Sequence, residues 1–70
     1  MSIHRLTDSL FEIRGPMFHR GSMKDIFKLL SARGYDSHEL ELAFVELILR
    51  DFDEAHFGIN RTFMYALNRD

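Results

Sequence analysis

The sequence predicts an all-α fold, a small three- or four-helix bundle around a central apolar helix, which we expect to be dimeric. Its 70 residues suffice for one small domain, residues 1–70. Apolar residues recur at helical spacing in successive segments between glycines. One segment, residues 37–57, is apolar around most of its circumference. Such a helix is central and needs neighbours on more than one side.

The amino-acid composition indicates a folded globular domain without disulfides or a membrane span. With 46% hydrophobic and 29% charged residues, the chain is typical of a folded globular domain. The absence of cysteine excludes disulfides, Cys-ligated metals and a thiol nucleophile. No apolar run approaches the roughly 18 residues of a membrane span, and the first residues lack the apolar core of a signal peptide. We therefore expect a cytoplasmic protein.

Charge is distributed unevenly along the chain. Residues 1–34 carry six Lys/Arg against three Asp/Glu, whereas residues 35–70 carry three against eight. This pattern indicates either two faces that pair with each other or with another copy, or an ordinary solvated surface.

The first segment contains apolar residues at helical spacing, which predict a helix before Gly15 and then an irregular connection. These residues are Ile3, Leu6, Leu10 and Ile13. The alternative is that "LFEIRGPMFHR" forms two strands that turn at Gly15-Pro16.

A short amphipathic helix is predicted between Ser22 and Gly34. Ser22 can cap its start with Asp25 at the third helical position, and Gly34 suits a left-handed residue after its end. Its apolar face comprises Met23, Ile26, Phe27 and Leu30.

The central helix is predicted to run from about residue 37 to 57. Asp36 as the N-cap and Glu39 three residues later make a capping box, and Tyr35 before the cap can pack on Leu40. Gly58, followed by Ile59, suits its end.

The final segment, "RTFMYALNRD", is predicted to be a helix capped by Asn60. Its run of apolar and aromatic residues, Phe63 to Leu67, is also compatible with a short strand.

A helical projection places the polar side of the central helix on a narrow strip that includes Glu46, Arg50 and Asp53. We expect the apolar side to contact a second copy in a homodimer. The predicted interface residues are Leu42, Val45, Leu49 and Phe52. Asp51, which falls within the apolar arc, is expected to pair with an arginine such as Arg5, Arg14 or Arg61.

The sequence contains little that indicates a catalytic or metal-binding site. Asp53 and His56 could chelate a metal from one helix face, but two ligands make a weak site. Ser37 and His38 are neighbours and so point to different sides of a helix. No P-loop, GxSxG or GxGxxG motif occurs. We therefore expect no catalytic, cofactor-binding or metal-binding residues, and no enzyme.

Residues 24–49 are predicted to form a helix, a turn and a second helix, which is the order of elements in the helix-turn-helix motif of DNA-binding proteins. The start of the second helix carries Asp36, Glu39 and Glu41, which phosphates would repel. A second, weaker indication of nucleic-acid binding is a basic patch in the first half of the chain. It comprises Arg14, Arg20, Lys24, Lys28 and Arg33, with His19 beside them.

The function that we predict is that of a small non-enzymatic regulatory or adaptor protein acting through protein–protein contacts as a homodimer. The alternative is a small nucleic-acid-binding regulator that uses the basic N-terminal half. A less favoured third class is a small enzyme or metal protein centred on Asp53 and His56.

Overall fold

The computed structural model describes residues 1–57 and 63–66, and it has an α+β fold. Five antiparallel strands form one sheet in the order β3-β2-β1-β4-β5. The strands are β1 (Ser2–Arg5), β2 (Phe11–Arg14), β3 (His19–Gly21), β4 (Glu54–Phe57) and β5 (Phe63–Ala66), and the helices are α1 (Met23–Ala32) and α2 (Ser37–Leu49). The predicted all-α bundle is therefore wrong.

The predicted first helix is replaced by strands β1 and β2. Ile3 lies opposite both Ile13 and Ala55 in the sheet, and all three are buried. Polar and apolar residues alternate along β2 and from Ser2 to His4 in β1, a period of two that tertiary pairing favours over the helical spacing. Gly15, at φ +143°, lies in the connection after β2, so the alternative of two strands around Gly15-Pro16 is correct.

Helix α1 has the predicted boundaries. The Ser22 side chain accepts a hydrogen bond from the Asp25 backbone, and the Asp25 carboxylate accepts one from the Ser22 backbone. Gly34 has a φ of +93°, in the region that glycine tolerates best. The capping prediction is confirmed at both ends because these signals are local.

Helix α2 begins as predicted but ends eight residues early. Asp36 caps it by accepting hydrogen bonds from the backbones of His38 and Glu39. After Leu49 the chain leaves the helix, and Asp51 has a φ of +60°. Arg5 binds Asp51, as predicted, and so ties this bend to β1. The predicted helix to residue 57 is wrong because residues 54–57 form β4, which pairs with β1.

The predicted C-terminal helix is also wrong over residues 63–66, which form β5 beside β4. The strand alternative is correct there, in keeping with the aromatic and apolar residues of this stretch. The predicted features at Gly58, Ile59 and Asn60 lie outside the described residues.

Both helices cover one face of the sheet, and the core lies between the two layers. The Phe11 and Phe44 rings meet edge to face, with centroids 5.4 Å apart. The buried apolar residues are Ile3, Phe11, Ile13, Ile26, Leu30, Leu40, Ala43, Phe44, Leu47 and Ala55. This layering leaves two surfaces to consider for function, the outer side of the helices and the open face of the sheet. Among the described residues, no helix is long and apolar enough to cross a membrane.

Candidate functional site

A groove runs between the outer sides of α1 and α2, and we call it the helical groove. Its volume is about 1100 Å³. Its apolar lining comprises Met23, Phe27, Phe44, Val45, Ile48 and Leu49. A groove of this size with an apolar lining is a surface suited to contact with another molecule.

The helical groove continues into exposed apolar residues on α2. Leu49 is 77% exposed, and Leu42 and Val45 are also exposed. Three of the four predicted interface residues thus share the outer surface of one helix. The fourth, Phe52, lies beyond the end of α2, is partly buried, and packs against the core.

Charged side chains border the helical groove on both walls. Lys24 and Lys28 lie on α1, and Glu41 lies on α2. The Ser31 hydroxyl, also at the groove, is buried without a hydrogen-bond partner among the described residues. The groove therefore combines an apolar floor with charges of both signs at its margins.

The residues of the predicted basic patch do not form one surface. Arg14 and Arg20 lie on the open face of the sheet, where both bind the carboxylate of Glu12. Lys24 and Lys28 lie at the helical groove, in the other layer. Arg33 is the C-cap of α1. The structure thus separates the five cations into at least two groups.

The open face of the sheet carries a row of polar side chains. Glu12 is only 3% exposed, and Arg20 lies 2.7 Å from its carboxylate. The hydrogen bonds from Arg20 and then Arg14 lower the pKa of Glu12. Glu12 is therefore held as an anion beneath two partly exposed guanidinium groups.

Four further side chains form a hydrogen-bonded and electrostatic chain on this face. The Ser2 Oγ lies 2.7 Å from His4 Nε2. The other ring nitrogen of His4, Nδ1, lies 3.6 Å from Glu54 Oε1. The second oxygen of Glu54 lies 2.8 Å from His56 Nε2. Ser2, His4, Glu54 and His56 will be called the sheet-face quartet.

The quartet occupies an environment that keeps His4 neutral and Glu54 charged. Burial, reinforced by the nearby positive charge of Arg14, lowers the pKa of His4, and Glu54 only partly opposes this effect. The hydrogen bond with His56 lowers the pKa of Glu54. A neutral imidazole beside an ionised carboxylate can accept a proton from a hydroxyl.

Asp53 and His56, considered above as a weak metal-binding pair, do not lie on one face of a helix. Asp53 precedes β4 and contacts Arg5, whereas His56 lies within β4 and contacts Glu54. Within residues 1–57 and 63–66, no group of three or more His, Asp or Glu is placed to hold a metal ion.

The sheet-face quartet was not predicted from the sequence, although a signal for it exists. Ser2 and His4 are separated by one apolar residue, and so are Glu54 and His56. In a strand, residues two apart share a face, so each pair is brought together by β structure alone. Interpreting both segments as helices concealed this arrangement. The juxtaposition of the two pairs arises from β1–β4 pairing, which links residues about fifty positions apart.

Comparisons with models of protein families, with curated proteins and with solved structures find no match to this chain.

Proposed function

We propose that this protein is a small non-enzymatic regulatory or adaptor protein that acts through protein–protein contacts, and that its first partner is a second copy of itself. The observation that carries the proposal is the helical groove with exposed Leu49 at its margin. Monomeric proteins seldom expose a large contiguous apolar surface, and such a surface commonly marks an interaction site.

Energetics favour covering this surface. A domain of this size draws only about 3–5 kcal/mol from its core when no disulfide or metal supports it. Full burial of one leucine side chain contributes roughly 1.5–3 kcal/mol. Covering Leu49 together with Val45 and Ile48 would therefore add a large fraction to the stability of the fold.

The margins of the groove favour a second copy as the occupant. Lys24 lies at the start of α1, whereas Glu41 lies nearer the start of α2. A two-fold rotation about an axis through the middle of the groove exchanges its two ends. We propose that this rotation sets Lys24 of each copy near Glu41 of the other.

The test is the molar mass measured by light scattering over a range of concentrations. We expect a dimer for the wild type and a monomer for Leu49→Glu, because a carboxylate cannot be buried unpaired in an apolar contact. Leu6→Glu is the matched control. Leu6 is 40% exposed but follows β1, away from the helical groove, so this variant should remain dimeric. A monomeric wild type would contradict the proposal.

Charge exchange tests the arrangement of the two copies. Lys24→Glu and Glu41→Lys should each weaken the dimer, because each places like charges together. The double variant should recover most of the wild-type dimer affinity, since it restores both ion pairs in the opposite sense. Failure of the double variant to recover would show that these residues do not meet across the interface.

A further inference from the structure

The sheet-face quartet points to chemistry that the proposed protein–protein contact does not require. We propose that Ser2 is a nucleophilic serine that accepts an acyl group from an activated ester or thioester, with His4 as its general base and Glu54 as the residue that positions His4. Ser2 is modified once per chain and does not turn over. The proposal uses only residues on the open face of the sheet, so it does not depend on the occupant of the helical groove.

The nucleophile and the base meet at hydrogen-bonding distance. Ser2 and His4 project from the same side of β1, and their Oγ and Nε2 atoms are 2.7 Å apart. Both residues are largely buried, at 9% and 8% exposure, so neighbouring side chains restrict their rotation. A serine hydroxyl becomes reactive when a base stands within reach of its proton.

Glu54 sets the orientation and tautomer of His4. It lies directly opposite His4 in the β1–β4 register, with Oε1 3.6 Å from Nδ1. An ionised carboxylate on this side favours a proton on Nδ1, which leaves the Nε2 lone pair for the Ser2 hydroxyl. His56 lies 2.8 Å from the other oxygen of Glu54 and fixes the carboxylate. The 3.6 Å separation can shorten when a donor binds, as contacts in unliganded sites often do.

His4 has the protonation state that a base needs. Burial lowers its pKa, and Arg14 lowers it further, so the imidazole is neutral near pH 7. A protonated imidazole could not accept the serine proton.

Arg14 adds positive charge where negative charge would develop. It lies directly opposite Ser2 in the β1–β2 register, and its side chain is 51% exposed. Cross-strand neighbours on one face lie within side-chain reach of each other. The Arg14 Nε donates a hydrogen bond to Glu12, and the terminal guanidinium nitrogens can stabilise the oxyanion that forms when Ser2 attacks a carbonyl carbon.

The chemical step balances within these groups and the acyl donor. Ser2 Oγ forms a bond to the carbonyl carbon as its proton passes to His4 Nε2. The tetrahedral intermediate collapses, the bond from carbon to the leaving oxygen or sulfur breaks, and the leaving group departs with its electron pair. The proton then passes from His4 to the leaving group or to water, and the acyl group remains on Ser2 as an ester.

The probe is p-nitrophenyl acetate, with release of nitrophenolate and the mass of the intact protein followed together. We expect one acetyl group per chain, located on residue 2 by peptide mapping and removed by hydroxylamine, which cleaves esters and leaves amides intact. Ser2→Ala should abolish this label. Ser9→Ala is the matched control: this serine is exposed in the connection after β1, and its loss should change nothing.

Variants of the base separate reactivity from structure. His4→Gln should slow labelling of Ser2 by about 100-fold or more, since general bases commonly contribute that much. Ser2→Cys should instead be acylated on sulfur and faster than the wild type, which keeps the test valid if Ser2→Ala folds poorly. Glu54→Gln should slow labelling and shift the midpoint of its pH dependence to lower pH, because a negative charge beside His4 is lost. An unchanged rate of Ser2 labelling in Glu54→Gln above the midpoint would contradict the positioning role of Glu54.

Three outcomes would overturn the proposal. A label that resides on an amine and resists hydroxylamine would be the first. Labelling of Ser2 at the same rate in His4→Gln would be the second. Nitrophenolate release that continues well beyond one equivalent would show hydrolytic turnover, which contradicts a stoichiometric acceptor.

Discussion

The environment of His4 opposes its protonation in the folded protein. Burial contributes most to the lowered pKa, and Arg14 and His56 act in the same direction. Glu54 and Glu12 act in the opposite direction but do not outweigh them. Unfolding releases His4 to its ordinary pKa, so the unfolded chain binds more protons as the pH falls through that value.

Stability should therefore decrease as the pH falls below about 6.5. The measurement is the urea midpoint between neutral pH and about pH 5.5, above the range in which carboxylates titrate. His4→Gln should flatten this part of the profile, because no group at that position then takes up a proton. His38→Gln, at an exposed position in the first turn of α2, should retain the decrease. An unchanged slope in His4→Gln would contradict the prediction.

Gly34 is a second residue whose effect on stability can be isolated. Its φ is +93°, and a Cβ added there would meet no atom within 4 Å. The cost of Gly34→Ala is therefore one of backbone conformation alone. We expect a loss of about 1–2 kcal/mol, and a smaller loss for Gly34→Asn because asparagine tolerates left-handed conformations better. Chemical denaturation of both variants provides the test, and equal losses would show that backbone conformation does not determine the cost.

Local signals predicted the helices better than the strands. The caps at Ser22 and Asp36 act on backbone groups within three residues, so they could be identified from short stretches of sequence. The end of α2 was misplaced because residues 54–56 pair with β1, about fifty residues away. Tertiary pairing of this kind overrides helical periodicity, and the four residues of β4 carry only a short alternating pattern.

The capping box of α1 provides a test of such a local signal. Ser22→Ala removes the acceptor for the Asp25 backbone and leaves the helix start exposed to water. We expect a loss of about 1 kcal/mol in the free energy of unfolding. Ser37→Ala, one residue after the cap of α2, is the control and should cost only a few tenths of a kcal/mol. Equal losses in the two variants would show that the capping hydrogen bond contributes nothing measurable.

The two layers of the molecule present different surfaces. The helical layer carries the apolar groove, whereas the open sheet face carries ion pairs and the sheet-face quartet. The interface prediction for Leu42, Val45 and Leu49 could be made from the sequence because their spacing on one helix is local. The sheet-face quartet could not be predicted from the sequence, because bringing its two pairs together requires knowledge of the strand order.

This distribution of charge predicts no sequence-selective binding to duplex DNA. Arg14 and Arg20 are engaged by Glu12, and Asp36 and Glu41 lie in the first turns of α2. Titration of labelled duplexes at physiological salt should not reach the affinity of about 10⁻⁸ M or tighter that specific binders show. Selective binding in that range, lost on replacing Lys24, Lys28 and Arg33 together, would contradict the prediction and favour the nucleic-acid-binding alternative.

The position of β1 in the sheet has a consequence for how the chain acquires its structure. This first strand lies between β2, its neighbour in sequence, and β4, which follows both helices. Its hairpin with β2 closes a short loop, whereas pairing Ser2 with His56 closes a very long one at a greater cost in chain entropy. During synthesis, the hairpin and the two helices can form early, but one side of β1 has no partner until β4 leaves the ribosome. We therefore expect folding to be limited by this late closure, with a rate typical of mixed α/β topologies and slower than that of a helical bundle of equal length.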